Sequence, residues 1–375
     1  MARFDVVICG LGAMGSAALE HLARRGVRAL GIERYAPGHD RGSSHGRTRI
    51  IRLGYYEHSS YVPLLRRAYA LWRELEVASG IELLHITGIL EIGPPGGALV
   101  RGTLASSQHH QLPHEVLSAS ELMQRFPQFK MPADYVGVLQ PDGGWLAVDP
   151  AFEAWLRLAR RTGAEVRSGD TVHAIEQRGS VVHVRTDSGV VEAACVIVAA
   201  GAWTPSLLPV LARHVRATRE VMAWFDPGPS AIEYLPVFML ESRHGIHYGI
   251  PPPRGDVTGG IKVAKHHHRN QTVDPDSCDR VVSREDEGLI RAALADHAPG
   301  LNGRLLAAKT CLYTMTPDGD FLIDCLPGSP RIFVASACSG HGFKFAPVIG
   351  EILADLAMSG ETQHAIARFR LDRFG

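Results

Sequence analysis

The apolar positions of this chain change period several times, and each change predicts an element. Phe4-Asp-Val-Val-Ile-Cys-Gly10 is a near-continuous apolar run and predicts a buried strand. From Ser16 to Arg25 the period lengthens to that of a helix, with Leu19 and Leu22 inward and Gly26 as its stop. Ala29-Leu-Gly-Ile-Glu33 is a second strand, ending on an acid. Tyr61 to Ser79 reads as an amphipathic helix with Leu64, Ala68, Leu71, Trp72 and Leu75 on one face and Gly80 behind it. Residues 81 to 92 alternate like strands, and 93 to 130 are broken by Pro and Gly around a short helix from Ser118 to Arg125. Tyr135 to Val148 predicts a hairpin over Asp142-Gly-Gly, and Asp149-Pro150 the cap of a helix to about Arg161. Residues 164 to 199 give short strands joined at Arg178-Gly-Ser and Asp187-Ser-Gly, the last an apolar run that ends at Gly201-Ala-Trp203. Residues 216 to 262 are strand-rich again, a helix covers Glu285 to His297, and Ile332 to Ala337 leads through a turn to the helix Ala346 to Met358. Pieces of βαβ character separated by strand-rich inserts predict an α/β (α+β) chain with a second, mostly antiparallel region.

The chain has 375 residues, 45% of them hydrophobic, enough for about two domains or one elaborate one. Lys plus Arg equals Asp plus Glu at 39 each, which gives no reason to expect nucleic acid or an anionic membrane as partner. Asp5 and the first strand follow the N-terminus too closely for a signal peptide, and there is no uncharged apolar run of spanning length. The six Cys are scattered with no C-x-x-C, so neither zinc nor a disulfide framework is indicated, and a reducing cytoplasm fits. Cys9 and Cys195 read as core.

Gly10-Leu-Gly12-Ala-Met-Gly15 is a G-x-G-x-x-G turn placed between strand and helix, with Glu33 closing the next strand. That order suits a dinucleotide: Gly10 for the turn, Gly12 for backbone approach to a pyrophosphate, Gly15 for helix–strand packing, Glu33 for ribose hydroxyls. The segment Arg41-Gly-Ser-Ser-His-Gly-Arg-Thr-Arg-Ile-Ile-Arg52 holds four Arg and one His. Ile50 and Ile51 argue for its partial burial, and a buried Arg needs an anion, which a ligand would supply. His266-His-His268 reads as a solvated loop with one inward His, because consecutive side chains alternate faces and rarely share a metal. Ser339-Gly-His-Gly-Phe-Lys-Phe345 is another Gly-rich turn before a helix, and its amides with Lys344 make a second anion-friendly spot.

Taken together, the N-terminal Gly motif, Gly42 to Arg52, Gly259-Gly-Ile-Lys262, Cys311-Leu-Tyr313 and Ser339 to Phe345 resemble the monomeric sarcosine oxidase and N-methyltryptophan oxidase family of flavoprotein amine oxidases, over nearly the whole chain. The last three motifs together are specific to it. The resemblance implies a Rossmann-like, glutathione-reductase-like FAD domain made of 1–82, 146–214 and 318–375, with a mostly antiparallel substrate domain of 83–145 and 215–317. It implies FAD bound by Gly10, Leu11, Gly12, Ala13, Met14, Gly15, Glu33, Arg34, Ser43, Thr48, Arg49, Val172, Gly201, Trp203, Gly340, Gly342, Phe343 and Lys344. It further implies an 8α-S-cysteinyl bond from Cys311 to the flavin; the residues alone favour a buried free Cys. Arg52 and Lys344 match a substrate-carboxylate clamp, Lys262 a lysine that assists O2, His45 and Arg49 residues beside the flavin ring, and His266 a substrate-side His. Tyr248 and Tyr313 match pocket tyrosines and Met239 an apolar wall. The implied reaction oxidises a secondary amine to an imine, which water hydrolyses, while O2 becomes H2O2; the expected assembly is a monomer.

Two departures from the family pattern stand out. Ser44 and Arg47 occupy places where a His and an acid are usual, which shifts local charge towards positive. Pro251-Pro-Pro-Arg-Gly-Asp forms a small insertion before Lys262 that bears on side-chain size. Sarcosine, N-methyltryptophan, pipecolate or proline, and a glycated amino acid all stay open as substrates, with a modest preference for sarcosine. An FAD dehydrogenase with another acceptor, a flavin module of a tRNA-modifying assembly and an NAD-dependent dehydrogenase are the remaining readings; zero net charge disfavours the tRNA module.

Overall fold

The computed structural model describes residues 3–228, 234–253 and 259–375. Its architecture follows from two kinds of strand. One sheet of eight, with buried apolar strands at its centre, runs in the order Val172–Arg178, Val181–Thr186, Gly189–Val198, Arg3–Cys9, Ala29–Glu33, Glu165–Ser168, with Ser329–Ser336 also along Gly189–Val198 and Leu322–Leu326 along Ser329–Ser336. The first strand lies parallel to both neighbours, with Val6 opposite Cys195 on one side and Ala29 on the other. The helix Ala13–Arg24 starts directly behind Gly12 and packs on the helix Ala346–Ser359, where a Cβ at Gly350 would meet the Ala17 carbonyl carbon at 2.6 Å.

A second sheet has nine strands in the order Thr272–Val273, Arg216–Phe225, Ile261–Lys265, Gly245–Ile250, Val237–Ser242, Ile89–Gly93, Val136–Gln140, Glu115–Ser118, with Leu305–Met315 along Arg216–Phe225. It is antiparallel except where Val237–Ser242 runs beside Ile89–Gly93. A small three-stranded sheet, Thr48–Ile51, Gly144–Ala147 and Leu84–Ile86, lies between these parts in sequence.

Several expectations change. Asp142-Gly-Gly does not close a hairpin: Val136–Gln140 pairs with Ile89–Gly93 in the large sheet, whereas Gly144–Ala147 pairs with Thr48–Ile51 and Leu84–Ile86. The turn chemistry is local, but both strands find better partners far along the chain. Asp149-Pro150 does not cap its helix; the helix is Val148–Arg161 with Ala147 at the cap. Pro150 is tolerated there because the first-turn N–H groups have no intrahelical acceptor. A helix, Ala98–His109, occupies part of the Pro- and Gly-punctuated stretch, while the one near Ser118 appears as Ala119–Arg125 with a full capping box.

The amphipathic helix spans Val62–Ser79, its end set by Gly80 at φ 69°. Its Trp72 is fully buried, 5.2 Å from the Trp155 ring, and donates Nε1–H to the Lys344 carbonyl at 2.9 Å. That bond fixes the turn 339–345 against the core. The Arg254-Gly-Asp256 part of the insertion lies outside the described residues.

Candidate active site

A cavity of about 500 Å³ opens where the C-terminal edge of the eight-stranded sheet meets the nine-stranded one. At one end lies the turn Gly10 to Met14. Gly10 has φ +95°, and a Cβ on it would stand 2.7 Å from the Ala199 carbonyl oxygen, so only glycine fits. Gly15 lies off the wall, where a Cβ would strike the Gly10 carbonyl; its role is packing. Glu33 Oε2 accepts from the Leu11 N–H at 2.8 Å and Oε1 from the Tyr35 N–H at 3.0 Å, so the acid is fixed across the ends of both strands. Burial opposes its charge, but His39 and these amides hold its pKa below the usual value. Ser44 Oγ reaches the Ala13 N–H at 3.4 Å. Arg34, Val172, Gly201 and Trp203 complete this end of the wall, and Asp276 from the other sheet's connection accepts from both Arg34 and Trp203.

The opposite end gathers Ser43, Arg49, Arg52, Met239, Tyr248, His266, Cys311, Tyr313, Gly340, Gly342, Phe343 and Lys344. Cys311 and Tyr313 alternate along Leu305–Met315 and so share a face. Burial pushes the Cys311 thiol up to about 12, partly countered by Arg49 and Lys262. His266 Nδ1 lies 3.3 Å from the Tyr313 hydroxyl, and burial holds its pKa well below the ordinary range. Lys344 is 5% exposed, donates to the His341 carbonyl at 2.7 Å, and is lowered to about 7 by burial and by Arg52. Arg49 donates to the Ser43 and Thr48 carbonyls.

Besides Gly15, three expected residues stay off the cavity wall. Thr48 lies behind it, as does Lys262, whose ammonium donates to the carbonyls of Thr48 at 2.7 Å and Gly46 at 3.1 Å, with its pKa well below the usual value through burial. His45 is 3% exposed, burial lowers its pKa to about 3, and both its ring nitrogens lack a hydrogen-bond partner among the described residues. Arg47 is exposed, so its extra charge is spent largely on solvent.

Arg52 departs furthest from expectation. Its buried guanidinium already has an anion within the chain: Nη2 donates to both Glu57 oxygens at 2.8 and 2.6 Å, and Nη1 to the Gly54 carbonyl. Tyr55 and Tyr56 rings lie 4.3 and 4.8 Å from its Cζ. Glu57, which lines the cavity, was not among the expected residues; an acid five positions beyond a buried Arg was the signal available. His341 was visible in its motif without a role, and it accepts or donates at 2.6 Å to the Tyr55 hydroxyl. The triplet 266–268 is not a solvated loop: His268 is 1% exposed and bonded to Asp286, and no metal-holding group of three or more His, Cys, Asp or Glu exists among the described residues. No helix among the described residues is long and apolar enough to cross a membrane.

The cavity suits a bound dinucleotide on its own terms. Besides His45, the buried hydroxyls of Thr314 and Ser336, both residues of the wall, have no partner among the described residues, which a polar ligand would supply.

Comparison with known proteins agrees. The family described as FAD dependent oxidoreductase matches residues 5–356. A monomeric sarcosine oxidase of Streptomyces avermitilis is 40% identical over 376 residues, covering 98% of this chain and 96% of that protein. An N-methyl-L-tryptophan oxidase of Salmonella typhi is 35% identical, covering 99% of both. Among solved structures, the open form of NikD, an unusual amino acid oxidase essential for nikkomycin biosynthesis, superposes with TM-score 0.88 at 28% identity over 99% of this chain and 98% of that one. With glycine turn, cavity and full-length similarity in agreement, the chain belongs to the monomeric sarcosine oxidase and N-methyltryptophan oxidase family of FAD-dependent amine oxidases.

Proposed function

We propose that the protein oxidises sarcosine or a similarly small N-methyl amino acid with O2 and water, giving H2O2, formaldehyde and the demethylated amino acid, glycine in the case of sarcosine. The observation that carries this reading is one cavity with the glycine turn at one end and two buried cations, Arg52 and Lys344, beside Cys311 at the other. Bound FAD supplies the two-electron oxidation and passes the electrons to O2. Arg52 and Lys344 hold the substrate carboxylate, each charge-assisted bond contributing about 1.5–3 kcal/mol. The carboxylate takes the place of Glu57 on Arg52. The same cations favour the neutral amine, the form that can be oxidised. Tyr248, Tyr313, His266 and Met239 enclose the amine and its methyl group.

We assign Cys311 as the 8α-S-cysteinyl attachment point, since its side chain lies on the cavity wall. Lys262, close behind Arg49, provides positive charge towards the reduction of O2. The remaining cofactor residues keep the roles set out above. Segments 1–82, 146–214 and 318–375 form the flavin-binding part and 83–145 with 215–317 the substrate part, a division supported by sheet membership. A monomer in a reducing, cytoplasmic setting completes the reading, consistent with six free cysteines.

The test is anaerobic bleaching of the flavin by sarcosine, N-methyl-L-tryptophan, L-pipecolate, L-proline and a fructosyl amino acid, followed by air and an H2O2 assay. Fast bleaching by sarcosine with H2O2 on reoxidation is expected. Bleaching only by a bulky or cyclic amine reassigns the substrate, and bleaching without H2O2 makes the protein a dehydrogenase.

A further inference from the structure

Arg52 has a second buried acid beside it that the reaction does not require. Glu91, in the middle of Ile89–Gly93, is 0% exposed, and its Oε1 stands 3.6 Å from Arg52 Nε. Gln140 Nε2 donates to the other oxygen at 2.5 Å, and Gln140 Oε1 accepts from the Gly54 N–H at 2.7 Å, so the Gln140 side chain ties Glu91 to the Arg52 segment. The buried Thr103 hydroxyl faces Glu91 from the helix Ala98–His109, and neither it nor Glu91 Oε1 makes a hydrogen bond of good geometry with any other group among the described residues.

The titratable and charged groups around Glu91 can be counted. Arg52, Tyr56 and Glu57 come from one segment, and Lys344 from the C-terminal turn. Val136–Gln140 and Ala98–His109 offer the neutral Gln140 and Thr103, and the neighbouring strand Val237–Ser242 places Met239 opposite. Two cations, Arg52 and Lys344, thus face two acids, Glu57 and Glu91. A ligand carboxylate adds a third negative charge. Glu57, displaced from Arg52, stays tethered five residues away and still faces His341 and Lys344. One negative charge is then unpaired in a buried site, where it is costly.

We propose that Glu91 is a positioning residue that takes up a proton when a carboxylate binds, so that the buried cluster stays neutral while Arg52 remains held. Glu91 is the acid with no access to water, its Oε1 3.6 Å from Arg52 Nε, and burial already raises it to about 7. Glu57, by contrast, is held below the usual range by Arg52. Proton uptake makes carboxylate affinity fall as pH rises past neutrality, by up to tenfold per pH unit from this group.

This inference rests on the carboxylate-clamp reading, and the experiment separates the two. The flavin-loaded protein is titrated at pH 8 with (methylthio)acetate, the thioether counterpart of sarcosine, which carries no titratable amine. Flavin absorbance reports binding, and the infrared difference spectrum reports protonated carboxylic acid. The expected result is a perturbed flavin with a new acid C=O band in the wild type, and a perturbed flavin without that band in Glu91→Gln. Binding with no band, or with a band that survives Glu91→Gln, overturns the proposal and leaves the clamp intact. A flavin that does not respond overturns the clamp and the proposal with it. If Glu91→Gln does not fold, the wild-type infrared difference spectrum decides, because a proton taken up by Lys344 gives no acid C=O band: binding at pH 8 without that band overturns the proposal.

Discussion

The two ends of the cavity are built from different materials. At the dinucleotide end the work falls to the main chain: a glycine at φ +95°, amides at a helix start, and one acid that bonds Leu11 and Tyr35 N–H groups. At the substrate end it falls to titratable side chains: buried Arg52, Glu91 and Lys344, with half-buried Glu57 and His266 beside them. The first end is intolerant of added atoms and carries a buried charge, Glu33, already satisfied by main-chain amides. The second tolerates small changes of shape and responds to every change of charge, because low local dielectric magnifies each one.

Four substitutions sharpen or break that contrast. Gly10→Ala has the largest expected effect: a positive-φ Cβ against Ala199 costs about 1–3 kcal/mol and distorts the pyrophosphate turn. Purified protein should carry little flavin, and full flavin content in this variant would mean that the main chain is not what selects glycine. Lys262→Met should slow reoxidation of the reduced enzyme on the order of 10²-fold, with reduction by substrate affected much less; stopped-flow traces with unchanged reoxidation remove Lys262 from that role. Glu57→Gln frees Arg52, so (methylthio)acetate should bind about tenfold tighter, the value of roughly one charge-assisted bond. Weaker binding would show that Glu57 helps the ligand rather than competes with it. Asp276→Asn should do least. Its pair with Arg34 is exposed on both sides, so Tm should move by less than about 2 °C, as scanning calorimetry would report.

The same contrast explains what could be read from the sequence. Glycine spacing is a main-chain property, so the turn 10–15, Glu33, Gly201 and Gly340 could be placed on the cavity, or directly behind it, from their letters. Helix ends marked by glycine, such as Gly80, were equally plain. Pairing between distant strands was not: Asp142-Gly-Gly looks like a hairpin until Ile89 and Thr48 supply the competing edges. Charge pairing is also nonlocal. Arg52 could be recognised as buried and in need of an anion, but the acid five positions on did not by itself say that Glu57 rather than a ligand would answer it in this structure. Glu91 stood as one charge inside Ile89-Leu-Glu-Ile-Gly93, a break in an apolar strand whose meaning depends on Gln140 and Arg52 arriving from elsewhere.

The eight-stranded sheet also sets a timetable for biosynthesis. Arg3–Cys9 is made first, yet it is flanked by Gly189–Val198, which in turn waits for Ser329–Ser336. The cavity wall takes residues from 9 to 344. A chain still emerging from the ribosome therefore holds its glycine turn without the partners that give it shape. Flavin loading becomes an event of the finished chain, and the early strands must be kept from other edges until the last fifty or so residues have been made.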